Sequence, residues 1–308
     1  MDKIAIVILN FNGDEDTIEC LKSIEKLSYL KQELLVIVVD NGSAKKFSII
    51  RQLADQFSKG EFKIIRNEEN LGFSGGNNVG IKYALENGTD YILILNNDTV
   101  VQGSLLKELL SVAKSDSNIG VVVPKIYFAK GFEYHKERYK SEELGKVLWY
   151  SGGKIDWKNV LGSHRGVDEV DHGQYNDIQE TDYATGCCMF VKAEVFKKIG
   201  FLNDNYFLYY EDNDFSQRAK KTGFKIIYAP KAIIWHKNAG SAGGSGSELQ
   251  DYYITRNRLL FGFKYAPLRS RIALIKESIS MILSGRQWQK KGVLDFYLGR
   301  FGKGSFIK

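Results

Sequence analysis

Up to residue 125 the chain repeats one pattern, a short and almost continuous run of Ile, Leu and Val followed by a longer amphipathic stretch. The runs are IAIVILN, LLVIVVDNGS, FKIIRN, YILILNND and IGVVVPK, and helices are predicted between them over 14–26, 47–57, 75–86 and 103–113. Runs that are apolar on both faces suit strands covered on both sides, so the pattern predicts βαβ units and an α/β fold around a mostly parallel sheet. Ligands of such sheets sit beyond the carboxyl ends of the strands, where loops and helix N-termini offer backbone donors. Polar residues gather at those ends: Asn10 and Asn12, Asp40 and Asn41, Asn67 and Asn70, then Asn96, Asn97 and Asp98.

Past this region the pattern changes. Residues 127–182 scatter Tyr, Gly, His and charge among short strand-like pieces, which predicts an antiparallel excursion or flap. ATGCCMFVKAEVFKKIGF reads as a strand and a short helix. An acidic turn then leads into a helix over about 212–221 closed by Gly223, followed by two strands joined by a Pro turn. The Gly- and Ser-rich 238–247 predicts a mobile loop, and two helices are expected near 249–263 and 268–283.

Composition narrows the class. With 308 residues, 44% of them hydrophobic, the chain can bury a large core, and disordered or collagen-like classes are excluded. No uninterrupted apolar run approaches about 18 residues, and no basic leader precedes the first strand, so neither a spanning helix nor a signal peptide is expected. Cys20, Cys187 and Cys188 lack zinc-site spacing and read as reduced core thiols of a cytoplasmic protein. The net charge of +6 is a property of the tail: 264–308 holds ten Lys or Arg against Glu277 and Asp295.

Taken singly, the motifs stay open. Asp98 with its two amides could hold a hard divalent cation, yet Asn and Asp also simply end strands. NLGFSGGNNVG, 70–80, matches neither GxGxxG nor a P-loop, but its glycines would let a backbone approach a ligand. Asp40 could accept the imino N–H of a pyrimidine base or cap a helix. The acids of YYEDNDF sit beside aromatics that would raise a carboxylate's pKa, as a general base needs, or serve the first turn of a helix. His236 could complete a metal shell begun by Asp98 or be structural, and Arg256 and Arg258 could bind phosphates or face solvent.

In combination, VILNFNG, VVDNGS, NLGFSGGNNVG, LNNDT, TGCCMFVKAEVF, YYEDNDFSQRAKKTGF, WH and RNR, running in that order over about 4–261, resemble a family 2 glycosyltransferase of the GT-A fold, rhamnosyltransferase-like branch. The resemblance implies an inverting, metal-dependent transfer of a sugar, rhamnose preferred, from a nucleotide diphosphate in cell-surface polysaccharide synthesis. It implies Phe11, flanked by Asn10 and Asn12, stacking on the base, with Asp40 reading the base edge. Asn70, Gly75 and Gly76 would line the nucleotide pocket and Asn96 would lie near the ribose. Asp98 and His236 would bind Mg²⁺ or Mn²⁺, Asp212 would be the general base with Glu211 second, and Arg256 and Arg258 would face the diphosphate. Asn96 stands where many relatives carry Asp, which lowers the charge that attracts the ion.

The expected divisions are a nucleotide-binding half over 1–125, an acceptor-binding half with the flap over 126–263, and a basic helical extension over 264–308. Expected partners are dTDP-rhamnose or a UDP-sugar and a glycan or lipid-linked acceptor, with no nucleic acid. The tail would meet an anionic membrane on the inner face of the plasma membrane, or form a homodimer surface. Two alternatives remain, a catalytically silent nucleotide-sugar-binding subunit and a nucleotidyltransferase.

Overall fold

The computed structural model describes residues 2–30, 33–44, 57–238 and 246–306. The helix expected over 47–57 and most of the loop over 238–247 lie outside the described residues. The parallel half is as the apolar runs demand: β1 (Ile4–Asn10), β2 (Leu34–Asn41), β3 (Glu61–Asn67) and β4 (Tyr91–Asn96) lie in the order β4-β1-β2-β3. Ile4 to Ile8 are fully buried, because α1 (Asp14–Ile24) and α2 (Gly72–Glu86) belong to helices that cover the sheet. The register sets Asn10 beside Asp40 and Leu9 beside Asn96, so the polar strand ends form one rim.

The other half departs from a simple βαβ continuation. After β5 (Thr99–Val101) and α3 (Leu105–Ala113), β6 (Ile119–Phe128) does not pair with β4. The strands β7 (Leu148–Tyr150), β8 (Gly153–Asp156), β9 (Leu161–His164) and β10 (Gln179–Glu180) make up the antiparallel excursion. The next strand, β11 (Cys188–Lys192), slots between β4 and β6 and runs antiparallel to both. A run apolar on both faces fixes burial but not direction, so the sequence could not place β11.

Beyond α4 (Ala193–Ile199) and α5 (Glu211–Lys221), the expected Pro turn is a bulge. Lys225–His236 is one strand, β12, whose register with β6 shifts between Ala229 and Ile233, around Pro230. Proline donates no N–H to the ladder, and the strand absorbs it by slipping. The end of β12 then pairs His236 with Thr99 of β5, one residue after Asp98.

Three helices close the chain: α6 (Glu248–Tyr265), α7 (Leu268–Ser284) and α8 (Gln287–Tyr297), the last not foreseen. Gly292 weakens the helical signal of α8, yet a side chain there would collide with the Tyr252 carbonyl of α6 at 2.7 Å, so the glycine permits close packing. The segment expected as an extension therefore packs back on the body. Asp295 binds the Tyr252 hydroxyl at 2.5 Å, and Phe306 clusters with Tyr252 and Tyr253.

Candidate active site

Asp98 and His236 meet because β5 and β12 pair immediately after β4. His236 Nε2 lies 3.1 Å from Asp98 Oδ1, and the Lys237 amide donates to the Asp98 carbonyl at 2.9 Å. One carboxylate oxygen and one imidazole nitrogen at this spacing suit Mg²⁺ or Mn²⁺, so the donor chemistry fits a divalent ion. Among the described residues no group of three His, Cys, Asp or Glu gathers here, so two protein donors are what these residues offer. Among the described residues His236 Nδ1 is buried without a hydrogen-bond partner. Trp149, from the flap, packs edge-on to His236 at 4.6 Å and to His164 at 4.3 Å. Burial pushes the His164 imidazole down to about 4, which keeps this neighbour neutral at ordinary pH.

The second carboxylate arrives at the same strand end by a short relay. The Asn96 amide donates to the Cys187 carbonyl at 2.9 Å, and the adjacent Gly186 amide donates to Asp212 Oδ2 at 3.0 Å. Asp212 Oδ1 accepts from the Asn213 amide at 2.7 Å and its side chain at 2.9 Å. Burial raises the Asp212 pKa, and these donors oppose the rise without cancelling it. Glu211 Oε2 is buried and has no hydrogen-bond partner among the described residues, and burial, helped by the charge of Asp212, pushes its carboxyl well above the usual range.

A raised folded-state pKa means that the folded chain holds this proton more tightly than the unfolded chain. Stability is therefore full below the ordinary carboxylate pKa and declines as pH rises through the raised one. Glu211→Gln, which cannot ionise, should match wild type in urea unfolding near about pH 4 and exceed it near about pH 8, by about 1.4 kcal/mol per unit of displacement. A stability difference that stays flat with pH would remove the ionisation argument.

On the opposite side of the rim, the first loop is tied down by its own polar residues. Asn10 Oδ1 accepts from the Gly13 amide at 3.2 Å and Thr17 Oγ1 at 2.9 Å, and Ser43 Oγ accepts the Asn12 amide at 2.8 Å. Asn12 adopts a left-handed φ of 55°, and Phe11 beside it is 42% exposed at the strand end. Asp40 is fully buried, with Arg66 on one oxygen and the Ser43 amide on the other at 3.2 Å. Its carboxylate holds the loop closed.

The turn before α2 differs from the expected nucleotide cradle. Asn41 Oδ1 takes the Leu71 amide at 3.1 Å, Asn70 Oδ1 takes the Gly72 amide at 2.8 Å, and the Phe207 carbonyl takes the Phe73 amide at 2.6 Å. The helix N-terminus has thus spent these donors inside the protein. Gly76 lies against Leu9 and Asn41, where a Cβ would collide, so this glycine serves close helix-on-sheet packing. Asn70 is thus engaged in the turn and Gly76 in packing on the sheet, while a side chain at Gly75 would meet Leu71.

A family model described as glycosyltransferase like family 2 matches residues 2–262. The chain belongs to this family. It is 26% identical over 261 residues to the low-salt glycan biosynthesis hexosyltransferase Agl10 of Haloferax volcanii, covering 84% of this chain and 75% of the relative. It is 24% identical over 266 residues to the dTDP-rhamnosyl transferase RfbF of Shigella flexneri, covering 83% and 79%. The N-acetylglucosaminyl-diphospho-decaprenol L-rhamnosyltransferase of Mycobacterium tuberculosis is 34% identical over 154 residues, but these span only 50% of this chain and 49% of that one. Of these three relatives, one is named a hexosyltransferase and two are named rhamnosyltransferases.

Solved structures give the GT-A fold. GalNAc-T7 with UDP, GalNAc and Mn²⁺ superposes at a TM-score of 0.61 with 16% identity, over 97% of this chain and 58% of that one. Staphylococcus aureus TarS 1–349 with UDP-GlcNAc does so at 0.58 with 15% identity, over 96% and 79%.

Two residues of the expected set stand apart in this glycosyltransferase. Arg256 is fully buried in α6 and donates to the carbonyls of Asn205 at 3.2 Å, Tyr206 at 3.1 Å and Arg300 at 3.4 Å. Arg258 reaches the Asn159 carbonyl and forms a paired bond with Glu277, at 2.7 and 2.9 Å. Each guanidinium already has protein acceptors. The residue between them was missed. Asn257 Nδ2 donates to the carbonyls of Tyr206, Leu208 and Tyr209 at 2.7 to 2.8 Å. It grips a stretch where Phe207, Tyr209 and Tyr210 all have positive φ, immediately before Glu211 and Asp212.

Asn97 was also left without a role. Its side chain binds the Gly13 carbonyl at 3.1 Å and Thr17 Oγ1 at 3.0 Å, fastening the first loop to the end of β4. Proximity to Asn96 and Asp98 was its only sequence signal.

Proposed function

We propose that this glycosyltransferase moves a sugar from a nucleotide diphosphate to an acceptor hydroxyl by a single inverting displacement. The observation that carries the reading is the convergence of the Asp98–His236 pair and the Asp212 carboxylate on the end of β4, linked through Gly186 and Cys187. Asp212 takes the acceptor proton as the oxygen attacks the anomeric carbon in line, and its raised pKa makes it a better base than an exposed carboxylate. Glu211 beside it holds a proton more readily, which spares Asp212 a second negative neighbour. A divalent ion held by Asp98 and His236 would supply neutralisation of the departing diphosphate. Phe11 offers its face to the base, and Asn96 lies nearest the ribose.

The donor favoured is dTDP-rhamnose, ahead of UDP-hexoses, because RfbF is named a dTDP-rhamnosyl transferase. The acceptor favoured is a lipid-linked glycan of a cell-surface polysaccharide, in keeping with the decaprenol diphosphate in the name of the mycobacterial relative. A thermal-shift panel of nucleotide sugars with and without Mn²⁺ tests the site. A donor at a hundred times its Kd should stabilise the native chain by about 2.7 kcal/mol. Asp98→Ala should lose the Mn²⁺-dependent part of that shift and keep any nucleotide-only part. A native chain whose donor response ignores Mn²⁺ would remove Asp98 and His236 as ion ligands.

A further inference from the structure

α7 carries its apolar side chains on the side that faces away from the protein. Its buried residues are Ser270, Leu274 and Ser278, whereas Leu268, Ile272, Ile275, Ile279, Ile282 and Leu283 are exposed, the first and last by 72% and 75%. At helical spacing these six fall on one face, a stripe about 100° wide. Arg271 borders one edge, and Arg269 and Lys276 the other. A surface stripe of this length, left in water, marks an interaction site.

We propose that α7 docks the chain on an anionic lipid bilayer, with the Leu and Ile stripe entering the boundary between headgroups and acyl chains. Arg269, Arg271 and Lys276 then meet lipid phosphates. Charge selects this occupant over a second copy of the chain. Two stripes packed face to face would bring their basic edges together, and the acids of 264–308 are already engaged: Glu277 by Arg258, and Asp295 by Tyr252 and Ser305. With a net charge of +8 over 264–308, the segment offers a copy of itself no free counter-charge. An anionic surface supplies that charge along the whole helix. The inference goes beyond glycosyl transfer and does not depend on it.

The test is co-sedimentation of the full chain with vesicles of phosphatidylcholine alone or mixed equally with phosphatidylglycerol. The wild type should pellet with the mixed vesicles, less so in high salt, and stay in solution with the neutral ones. Ile275→Ser combined with Ile279→Ser should lower partitioning at least about tenfold. Arg269→Glu combined with Lys276→Glu changes only exposed positions and should abolish the preference for the anionic vesicles; it serves if the first variant does not fold. Docking is overturned by a wild type that stays in solution with both vesicles, or by variants that pellet as well as the wild type. A dimer in sedimentation velocity that the isoleucine variant dissociates would overturn it as well. A chain that fails to pellet yet keeps its donor-dependent thermal shift would refute docking and leave the transfer reading intact.

Discussion

Asp212→Asn is expected to lower turnover by about 10²- to 10⁴-fold, the range for loss of a positioned general base. Asparagine keeps the shape but offers one acceptor oxygen where aspartate uses two, so it serves either the Gly186 amide or the Asn213 donors; the rest of α5 and the donor site should persist. The donor-induced thermal shift should stay within error of wild type. Two results separate the carboxylates: if Glu211→Gln alone causes the large loss while Asp212→Asn is mild, the base is Glu211. If both variants keep near-normal turnover, the acidic pair has no part in proton transfer. Because the Asp212 pKa is raised, the acidic limb of the wild-type rate profile should fall at a higher pH than an exposed aspartate would give.

The largest stability loss is expected at Asn257. Asn257→Ala withdraws a donor shared by three backbone carbonyls of 206–209 and frees a stretch held at positive φ. The Tyr206 carbonyl keeps Arg256 and the Leu208 amide, whereas those of Leu208 and Tyr209 lose this donor; each buried acceptor left unpaired costs about 1 to 3 kcal/mol, so a loss of about 3 kcal/mol is expected in urea unfolding. Turnover should fall as well, since the gripped stretch sets the start of α5 and the aim of Asp212. An unchanged urea midpoint would show that the grip does not matter. At Arg256 the same logic opposes a diphosphate role: Arg256→Lys cannot reproduce the fork to Asn205 and Tyr206, and should lower stability before it raises the KM for donor.

Asp212 was a candidate in the sequence, whereas Asn257 was not. The apolar runs made the parallel strands and their polar rim legible, because burial on both faces leaves few residue types available. The acidic helix start, His236 after an apolar strand, and Asp98 at a strand end were legible as chemistry. Gly76 could not be assigned from sequence, since a glycine needed for backbone approach to a ligand and one needed for helix-on-sheet packing look identical there. Arg256 was ambiguous in the same way, because a forked donor suits a phosphate and a set of backbone carbonyls equally well. The exposed face of α7 was half visible, as basic and apolar residues mixed over 268–283, but only packing showed which side was left outside.

By itself, the sequence determined the alternation of elements, the class of fold and the residue types able to do the chemistry, because these follow from local periodicity and from the few side chains that carry charge or ligate metal. Tertiary structure decided that β11 runs backwards between β4 and β6, that Pro230 bulges a strand, and that Asp98, His236 and Asp212 share one rim. It also decided which polar groups are spent inside the protein and which remain for a ligand. Every buried donor and acceptor must find a partner, and in a long chain that partner is set by contacts far apart in sequence.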